Sequence, residues 1–318
     1  MEKKMEKEFK HTPVLLKECL DGLNIKPEGI YVDGTLGGGG HSGEILKRLT
    51  TGKLIAFDKD DDALSTTKEK LKAYEDNIIY VKSDFKNMYS VIKEMGIDYV
   101  DGILLDLGVS SYQIDTAERG FSYRFDGKLD MRMDQTSDLT AFEVVNNYSK
   151  EELIRILYNY GEESFAKPIV NKIIESRQVK NIETTSELVS IIESAVPKKF
   201  WGKGSVAKKT FQAIRIEVNG ELEGLELAIN QMIDLLSNDG RLAIITFHSL
   251  EDRVVKTVFK ERSTNCICDK TLPFCVCNHK ADAMLVNKKP IEATKKELEI
   301  NSRSSSAKLR VLQKIENN

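Results

Sequence analysis

The sequence predicts an α/β fold with a mostly parallel sheet, interrupted by an inserted helical domain. Short apolar segments alternate with helix-like segments over roughly the first 110 residues, as in parallel strands joined by crossover helices. About 135 residues then separate the fourth and fifth predicted strands, far more than a crossover needs. Two capping boxes inside that gap precede apolar-periodic runs, which indicates that the insert is helical.

Each predicted strand is a short apolar run that ends in or near an acid or a glycine. The predicted strands are residues 30–33, 54–58, 78–82, 100–106, 241–247 and 308–312. The capping boxes pair Ser149 with Glu152 and Thr184 with Glu187, and residues 211–236 are expected to form one long helix that returns to the sheet. We therefore expect a discontinuous cofactor-binding domain and an inserted helical domain, with bounds 1–113 plus 211–318 and 114–210.

The composition is that of a water-soluble protein. Of its 318 residues, 41% are hydrophobic and 31% are charged. The net charge of −3 argues against bulk attraction to nucleic acid, so any such contact must be local. The first eight residues are charged, without the apolar segment of a secretory signal, and no run approaches the ~20 apolar residues of a membrane span. We expect a cytoplasmic protein with no membrane contact.

A glycine-rich segment directly after the first predicted strand indicates a bound nucleoside. Residues 33–41 read Asp-Gly-Thr-Leu-Gly-Gly-Gly-Gly-His. Consecutive glycines cost backbone entropy and suit a loop that passes very close to a ligand. Asp58 ends the next predicted strand, where a carboxylate can accept both hydroxyls of a ribose.

Two cofactors fit this segment. Residues 38–43 match the dinucleotide motif G-x-G-x-x-G, with Asp58 about twenty residues further on. However, Asp33 and Asp106 place negative charge where a pyrophosphate would be repelled and the sulfonium of S-adenosylmethionine would be tolerated. The chemistry favours S-adenosylmethionine, while a dinucleotide, as in a nicotinamide-dependent oxidoreductase, and a purely structural turn remain as alternatives.

Eight ordered motifs then make the chain similar to a known family. In this sequence they are His11-Thr-Pro-Val-Leu15, residues 33–42, Asp106-Leu-Gly-Val-Ser-Ser-x-Gln113, Arg119-Gly-Phe-Ser, Leu129-Asp-Met-Arg-Met-Asp134, Phe211-Gln-Ala-Ile-Arg215, Phe247-His-Ser-Leu-Glu-Asp-Arg253 and Ser306-Ala-Lys-Leu-Arg310. Over roughly residues 8 to 314 the chain closely resembles the RsmH (MraW) family. That family methylates the N4 amine of a decoding-centre cytidine in 16S rRNA of the small ribosomal subunit.

The resemblance implies a Rossmann-like class I methyltransferase fold, S-adenosyl-L-methionine as cofactor and 16S rRNA in the small subunit as partner. Carried over position by position, the cofactor contacts are Gly39, Gly40, His41, Asp58, Phe85, Asp106 and Gln113. A related hypothesis is a ribosome-assembly factor that binds RNA and keeps the cofactor fold without methyl transfer. The sequence leaves the oligomeric state open.

Asp106 and His248 are the candidate catalytic residues. The lone pair of a cytosine amine is delocalised into the ring, so an acceptor for the amine N–H is needed at the reacting centre. Asp106 ends the fourth strand, where such an acceptor fits, and it can serve the cofactor as well. His248 ends the fifth strand and can accept a proton, although His248 with Glu251 also fits a structural helix start.

Two segments combine cations with aromatic side chains, a pattern typical of contacts to single-stranded RNA. The first contains Lys198, Lys199, Phe200, Trp201, Lys203, Lys208 and Lys209. The second contains Arg119, Phe121, Tyr123, Arg124, Phe125 and Arg132. A solvated loop is the alternative for the first segment, and packing between the two domains is the alternative for the second.

Four of the five cysteines are crowded into one short segment. Cys266-x-Cys268 and Cys275-x-Cys277, with His279 beyond, could hold zinc in a structural site. The spacing is less familiar than paired C-x-x-C, and free thiols are stable in a reducing cytoplasm. The sequence therefore favours a reduced surface loop, and we expect no metal.

Overall fold

The computed structural model describes residues 13–202, 204–269, 271–272 and 274–316. Contacts divide the chain into two compact units, one formed by Met1–Gly108 with Gly224–Asn318 and one formed by Val109–Glu223. The second unit extends beyond the predicted insert at both ends. Its C-terminal extension contains the helix Lys208–Asn219, which packs against other helices of this unit.

The first unit is built on one eight-stranded sheet. Its strands are β1 Ile30–Asp33, β2 Lys53–Asp58, β3 Ile78–Lys82, β4 Val100–Asp106, β5 Leu236–Thr246, β6 Ala283–Leu285, β7 Ile291–Glu292 and β8 Lys308–Lys314. The order is β3-β2-β1-β4-β5-β8-β6, with β7 also paired to β8. Strands β1 to β5 are parallel, and β8 runs antiparallel to β5, β6 and β7. The predicted mostly parallel α/β fold is confirmed.

Helices cover both faces of this sheet. The helices of this unit are α1 Leu16–Leu23, α2 Gly40–Leu46, α3 Asp61–Lys70, α4 Met88–Glu94, α11 Leu225–Leu235, α12 Ser249–Arg262 and α13 Lys295–Ile300. Alternate strand residues such as Leu54 and Ala56 share one core with α1, α2 and α3. Helices α4, α11 and α12 contact one another in succession, and α11 and α12 pack on β5. This doubly wound arrangement places ligands at the carboxyl ends of the parallel strands.

The second unit is helical. It contains α5 Ser111–Asp115, α6 Ala141–Asn147, α7 Lys150–Asn159, α8 Ala166–Val179, α9 Thr185–Ala195 and α10 Lys208–Asn219. Both predicted capping boxes are present: Ser149 with Glu152 begins α7, and Thr184 with Glu187 begins α9. Apolar residues from α6 to α10 form one buried core within this unit. The predicted helical insert is confirmed as helical.

The expectation of one continuous helix over residues 211–236 was wrong. The chain forms two helices, α10 and α11, that belong to different units. In the segment between the two helices, Gly220 has φ 56° and Gly224 has φ 69°. This left-handed conformation ends a helix, and glycine adopts it without steric cost. Among the described residues, no helix is long and apolar enough to cross a membrane.

Candidate functional site

The glycine-rich loop joins β1 to α2, and close packing within the unit explains several of its glycines, Gly39 and Gly40 among them. Gly39 has φ 67°, and a Cβ there would lie 2.5 Å from Thr67 Cγ2. A Cβ on Gly40 would lie 2.3 Å from Pro13 Cγ. By contrast, a Cβ on Gly38 would meet no atom of the described residues within 4 Å. The loop therefore has one glycine beside open space, next to two that its own fold requires.

Asp58 ends β2 and is tied to the loop by backbone hydrogen bonds. The Gly37 N–H donates to Oδ2 (2.8 Å), and the Asp60 N–H donates to Oδ1 (2.9 Å). Burial raises the pKa of Asp58 to about 6, although both hydrogen bonds oppose this shift. Each carboxylate oxygen retains a second lone pair, so the predicted ribose contact is compatible with these bonds.

Asp33 has a structural role that the sequence did not indicate. The Thr35 N–H donates to Oδ1 (3.0 Å), and the Ser42 Oγ donates to Oδ2 (2.7 Å). Burial raises the pKa of this carboxyl, and the same two partners oppose the rise. Asp33 thus binds residues at both ends of the glycine loop. Its charge also helps to raise the pKa of Asp106.

Asp106 and His41 come together at the end of β4. The Asp106 N–H donates to Thr35 Oγ1 (2.6 Å), which fixes the backbone of Asp106 beside the loop. His41 Nδ1 lies 3.8 Å from Asp106 Oδ2, and His41 Nε2 lies 3.0 Å from the Val14 carbonyl oxygen. Since His41 belongs to α2, the first turn of that helix and the end of β4 meet at one point.

The Asp106 carboxyl lies in electrostatically unfavourable surroundings. Burial, followed by the charges of Asp33 and Glu251, raises the pKa of Asp106 to about 8. Its Oδ1 is buried with no hydrogen-bond partner among the described residues, while 27% of the side chain remains exposed. A cation or an N–H donor bound at the exposed part of this carboxyl would compensate its charge. The electrostatics therefore favour a positively charged ligand over a pyrophosphate.

The other two predicted cofactor residues lie in different units. Phe85 is partly buried after β3, in the first unit, and its Cβ lies close to the loop, 3.2 Å from the position of a Cβ on Gly34. Gln113 is buried in the second unit, where it completes a capping box at the start of α5 with Ser110. Thus the residues brought together within the first unit are Gly39, Gly40, His41, Asp58, Phe85 and Asp106.

His248 caps α12. Its ring accepts the Glu251 N–H at Nδ1 (3.4 Å), and Nε2 lies 3.1 Å from Glu251 Oε1. The Glu251 carboxylate in turn accepts the N–H groups of Phe247 and His248. The structural alternative considered for this motif is therefore present as a capping box. The catalytic role of His248 stays a prediction.

Thr35 and Ser42 are the site residues that sequence reasoning missed. Both bind Asp33, and Thr35 also binds the backbone of Asp106, so one threonine joins β1, the glycine loop and β4. Both lie inside the quoted motif over residues 33–42. The signal that could have found them is the short distance in sequence between a buried acid and two hydroxyl groups, a common source of side chain–backbone bonds.

The family model described as the MraW methylase family matches residues 8–315 of the chain. The chain belongs to the MraW methylase family. It is 54% identical over 310 residues to "Ribosomal RNA small subunit methyltransferase H" of Finegoldia magna, which covers 97% of this chain and 99% of the relative. It is 57% identical over 309 residues to the protein of the same name from Clostridium botulinum strain 657, covering 97% and 100%.

Solved structures that align with the chain include an rRNA methylase from Streptococcus thermophilus, with a TM-score of 0.40 and 14% identity over 94% of this chain and 93% of that one. A putative rRNA-methylase from Clostridium thermocellum aligns with a TM-score of 0.45 and 13% identity, covering 96% of this chain and 99% of that one.

In this member of the MraW methylase family, the two candidate RNA-binding segments differ in how far their side chains are exposed. In the first, Lys198, Lys199 and Phe200 are exposed and Trp201 is 39% exposed, with its Nε1–H bound to the Val196 carbonyl. Lys208 and Lys209 are also exposed at the start of α10, whereas Lys203 lies outside the described residues. This segment presents cations and aromatic rings to solvent.

The second segment is mostly occupied by contacts within its own unit. Arg119 and Phe121 are buried, and Arg119 donates to two backbone carbonyls. Arg132 is paired with Asp130 through two hydrogen bonds (2.9 and 2.7 Å). Tyr123 packs edge-on against Phe211. The exposed members of this segment are Arg124 and Phe125.

In the ligand-free state, we expect the stability of Asp106→Asn relative to the wild type to increase as pH rises. The folded state holds a proton on Asp106 up to about pH 8, whereas the unfolded carboxyl loses it near pH 4. Between these values the contribution of Asp106 to stability falls by up to about 1.4 kcal/mol per pH unit, and it levels off above pH 8. Denaturant unfolding of both proteins from pH 5 to 9 measures this effect. Parallel curves for the two proteins would contradict it.

Proposed function

We propose that the chain transfers a methyl group from S-adenosyl-L-methionine to the exocyclic N4 amine of a decoding-centre cytidine in 16S rRNA. Support for the reaction class is the family membership together with relatives above 50% identity that are named as ribosomal RNA small subunit methyltransferases. The choice of base rests on the motif resemblance. We place this activity in the cytoplasm, on the small ribosomal subunit.

The observation that carries the proposal is the uncompensated carboxyl at the end of β4. Asp106 Oδ1 has no hydrogen-bond partner among the described residues, although it lies beside the glycine loop. The sulfonium and ammonium groups of S-adenosylmethionine are cations, and a target amine is an N–H donor. Burial and the charges of two further acids disfavour the ionised form of this carboxyl. A nearby cation or an N–H donor would favour the ionised form.

The residues of the first unit fit this cofactor. Asp58 ends the strand next to β1, where a ribose would bind, and Gly38 faces open space that a ligand can occupy. Phe85 follows β3 and supplies an apolar surface for an adenine. When bound, S-adenosylmethionine supplies the electrophilic methyl group of the reaction.

Asp106 would act on the target amine. Its carboxylate accepts an amine N–H, which returns electron density to the nitrogen, and it takes the proton that the methylated nitrogen releases. This role requires the ionised form, so binding of a cation beside Asp106 prepares the residue by lowering its raised pKa. One carboxylate thereby links cofactor binding to activation of the acceptor.

We further propose that the helical unit recognises the RNA. Support comes from the exposed segment with Lys198, Lys199, Phe200 and Trp201, in which lysines can neutralise phosphates and rings can stack on unpaired bases. The target cytidine must be unpaired or flipped for its amine to reach a carboxylate.

The proposal is tested by methyl transfer from labelled S-adenosylmethionine to small ribosomal subunits that lack this methylation, followed by nucleoside analysis by mass. We expect label in N4-methylcytidine at a single site in the 16S rRNA. Label in another nucleoside would overturn the choice of base. S-adenosylmethionine binding without label in any RNA would favour an RNA-binding factor over an enzyme.

We expect Asp106→Ala and Asp106→Asn each to lower the transfer rate by at least about 100-fold, because both remove the proton acceptor. Single-turnover transfer at saturating cofactor and RNA measures the effect. Asp98→Asn is the matched control, since it removes an exposed carboxylate from the same unit. A near-normal rate in either Asp106 variant would refute the assigned role.

His248→Asn and His248→Ala distinguish a catalytic from a capping role. Asparagine is a good N-cap and alanine is not, so only the alanine variant should lose stability at α12, by about 1 kcal/mol. If His248 acts in catalysis, both variants slow transfer. Full transfer by the asparagine variant would restrict His248 to its role as a cap.

We expect Lys198→Ala with Lys199→Ala to weaken RNA binding and to lower the slope of log affinity against log salt by about 1.4, the value for two contacts to single-stranded phosphates. Cofactor affinity should not change. Lys172→Ala with Lys180→Ala is the control, because these lysines are exposed in the same unit but paired with glutamates. An equal slope in the Lys198/Lys199 variant and the wild type would remove this segment from the interface.

A further inference from the structure

Four cysteine side chains converge between α12 and β6, outside the site described above. Cys266, Cys268, Cys275 and Cys277 place their Sγ atoms within 4.8 Å of one another. Three of the distances are 3.9 Å from Cys268 to Cys275, 3.5 Å from Cys275 to Cys277, and 3.9 Å from Cys277 to Cys266. The four thiols are free.

These distances fit a tetrahedral metal site. With a zinc–sulfur bond of about 2.3 Å, the sulfurs at the corners of a tetrahedron lie about 3.8 Å apart. The three distances between these sulfurs lie close to this edge length. A disulfide would bring two sulfurs to about 2.05 Å and would leave the two pairs independent of each other. The arrangement has the size of a four-sulfur coordination shell.

Burial does not explain why the sulfurs meet. Ile267, Phe274 and Val276 are exposed, Phe274 by 73% and Val276 by 62%, so these apolar side chains of the segment do not pack into a core. The Val276 N–H donates to Cys268 Sγ (3.3 Å), the kind of bond that stabilises a metal-bound thiolate. Ligation of a metal would supply the free energy that orders a segment without a core of its own.

His279 is not part of the cluster. Its Nε2 lies 2.9 Å from the carbonyl oxygen of Glu261, near the end of α12. This contact holds the chain beyond Cys277 against the helix. The geometry therefore assigns four cysteines and no histidine to the ligand set.

We propose that Cys266, Cys268, Cys275 and Cys277 bind one Zn²⁺ ion in a closed, structural site. Four thiolates in a tetrahedron select zinc or iron. Zinc is assigned here because a structural zinc ion needs no redox partner. Binding displaces the four thiol protons and changes no oxidation state. This proposal differs from the sequence expectation of a metal-free reduced loop.

The ion would hold one wall of a groove of about 740 Å³. The opposite wall is α12, which contributes Arg253, Lys256 and Lys260, while Cys266, Cys268 and Cys275 belong to the cysteine wall. Removing the metal should therefore loosen this wall while leaving the glycine-loop site intact, since none of the groove residues belongs to that site.

The test uses the full chain, purified with a reductant and without metal-affinity resin. We expect one zinc per chain by elemental analysis, and slow alkylation of four thiols that becomes fast after chelation. After metal removal, Co²⁺ added alone should give the visible bands of tetrahedral thiolate coordination. Two disulfides, iron in place of zinc, or alkylation at the same rate with and without Zn²⁺ would overturn the proposal.

Variants define the ligand set. Cys266→Ser and Cys275→Ser should each weaken zinc binding by at least about tenfold, with unchanged S-adenosylmethionine affinity as the check that the chain is folded. Cys19→Ala removes the buried fifth thiol and should keep one zinc per chain. His279→Ala should also keep it. Loss of zinc from the His279 variant, or retention of normal affinity in both serine variants, would refute the four-cysteine site.

Discussion

The arrangement of the first unit depends on one electrostatic constraint, a carboxyl at the end of the central strand β4 with another buried acid close by. Thr35 and Ser42 donate hydrogen bonds to the Asp33 carboxylate. The charge of Asp33 contributes to the raised pKa of Asp106. Placing an ionisable group in such surroundings costs free energy that the folded chain does not recover by itself. The loop, the start of α2 and the end of β4 are organised around this unsatisfied group, and a cationic ligand would supply the missing compensation.

The three acids at the ends of these strands also differ in their hydrogen-bond partners. Asp33 shares its carboxylate oxygens with the loop and so fixes the loop's shape, and Asp58 does the same at the neighbouring strand. Asp106 keeps one oxygen without a hydrogen-bond partner in the part of the chain that the structure describes. Three acids that look equivalent as ends of predicted strands therefore differ in how much of their hydrogen-bonding capacity remains for a ligand.

Much of this fold was predictable because apolar runs mark buried parallel strands directly. The predicted strands from 30–33 to 308–312 are confirmed, with shifts at some ends, while β6 and β7 are too short to show a pattern. The break between α10 and α11 was missed because apolar periodicity continues on both sides of it. At the site, Asp58 and Asp106 stood out by position, whereas the role of Thr35 depends on two hydrogen bonds that only the folded loop forms.

The central strands β4 and β5 pair in parallel, although the whole helical unit lies between them in the chain. Contacts at such long sequence separation form late, because closing a long loop is entropically costly. During synthesis the helical unit is complete before β5 exists, and β8, which fits between β5 and β6, follows later still. Until β8 arrives, β5 is an unprotected edge with free backbone donors and acceptors. A nascent chain that pauses once β5 has left the ribosome, but before β8 has been made, would therefore expose an edge that favours aggregation.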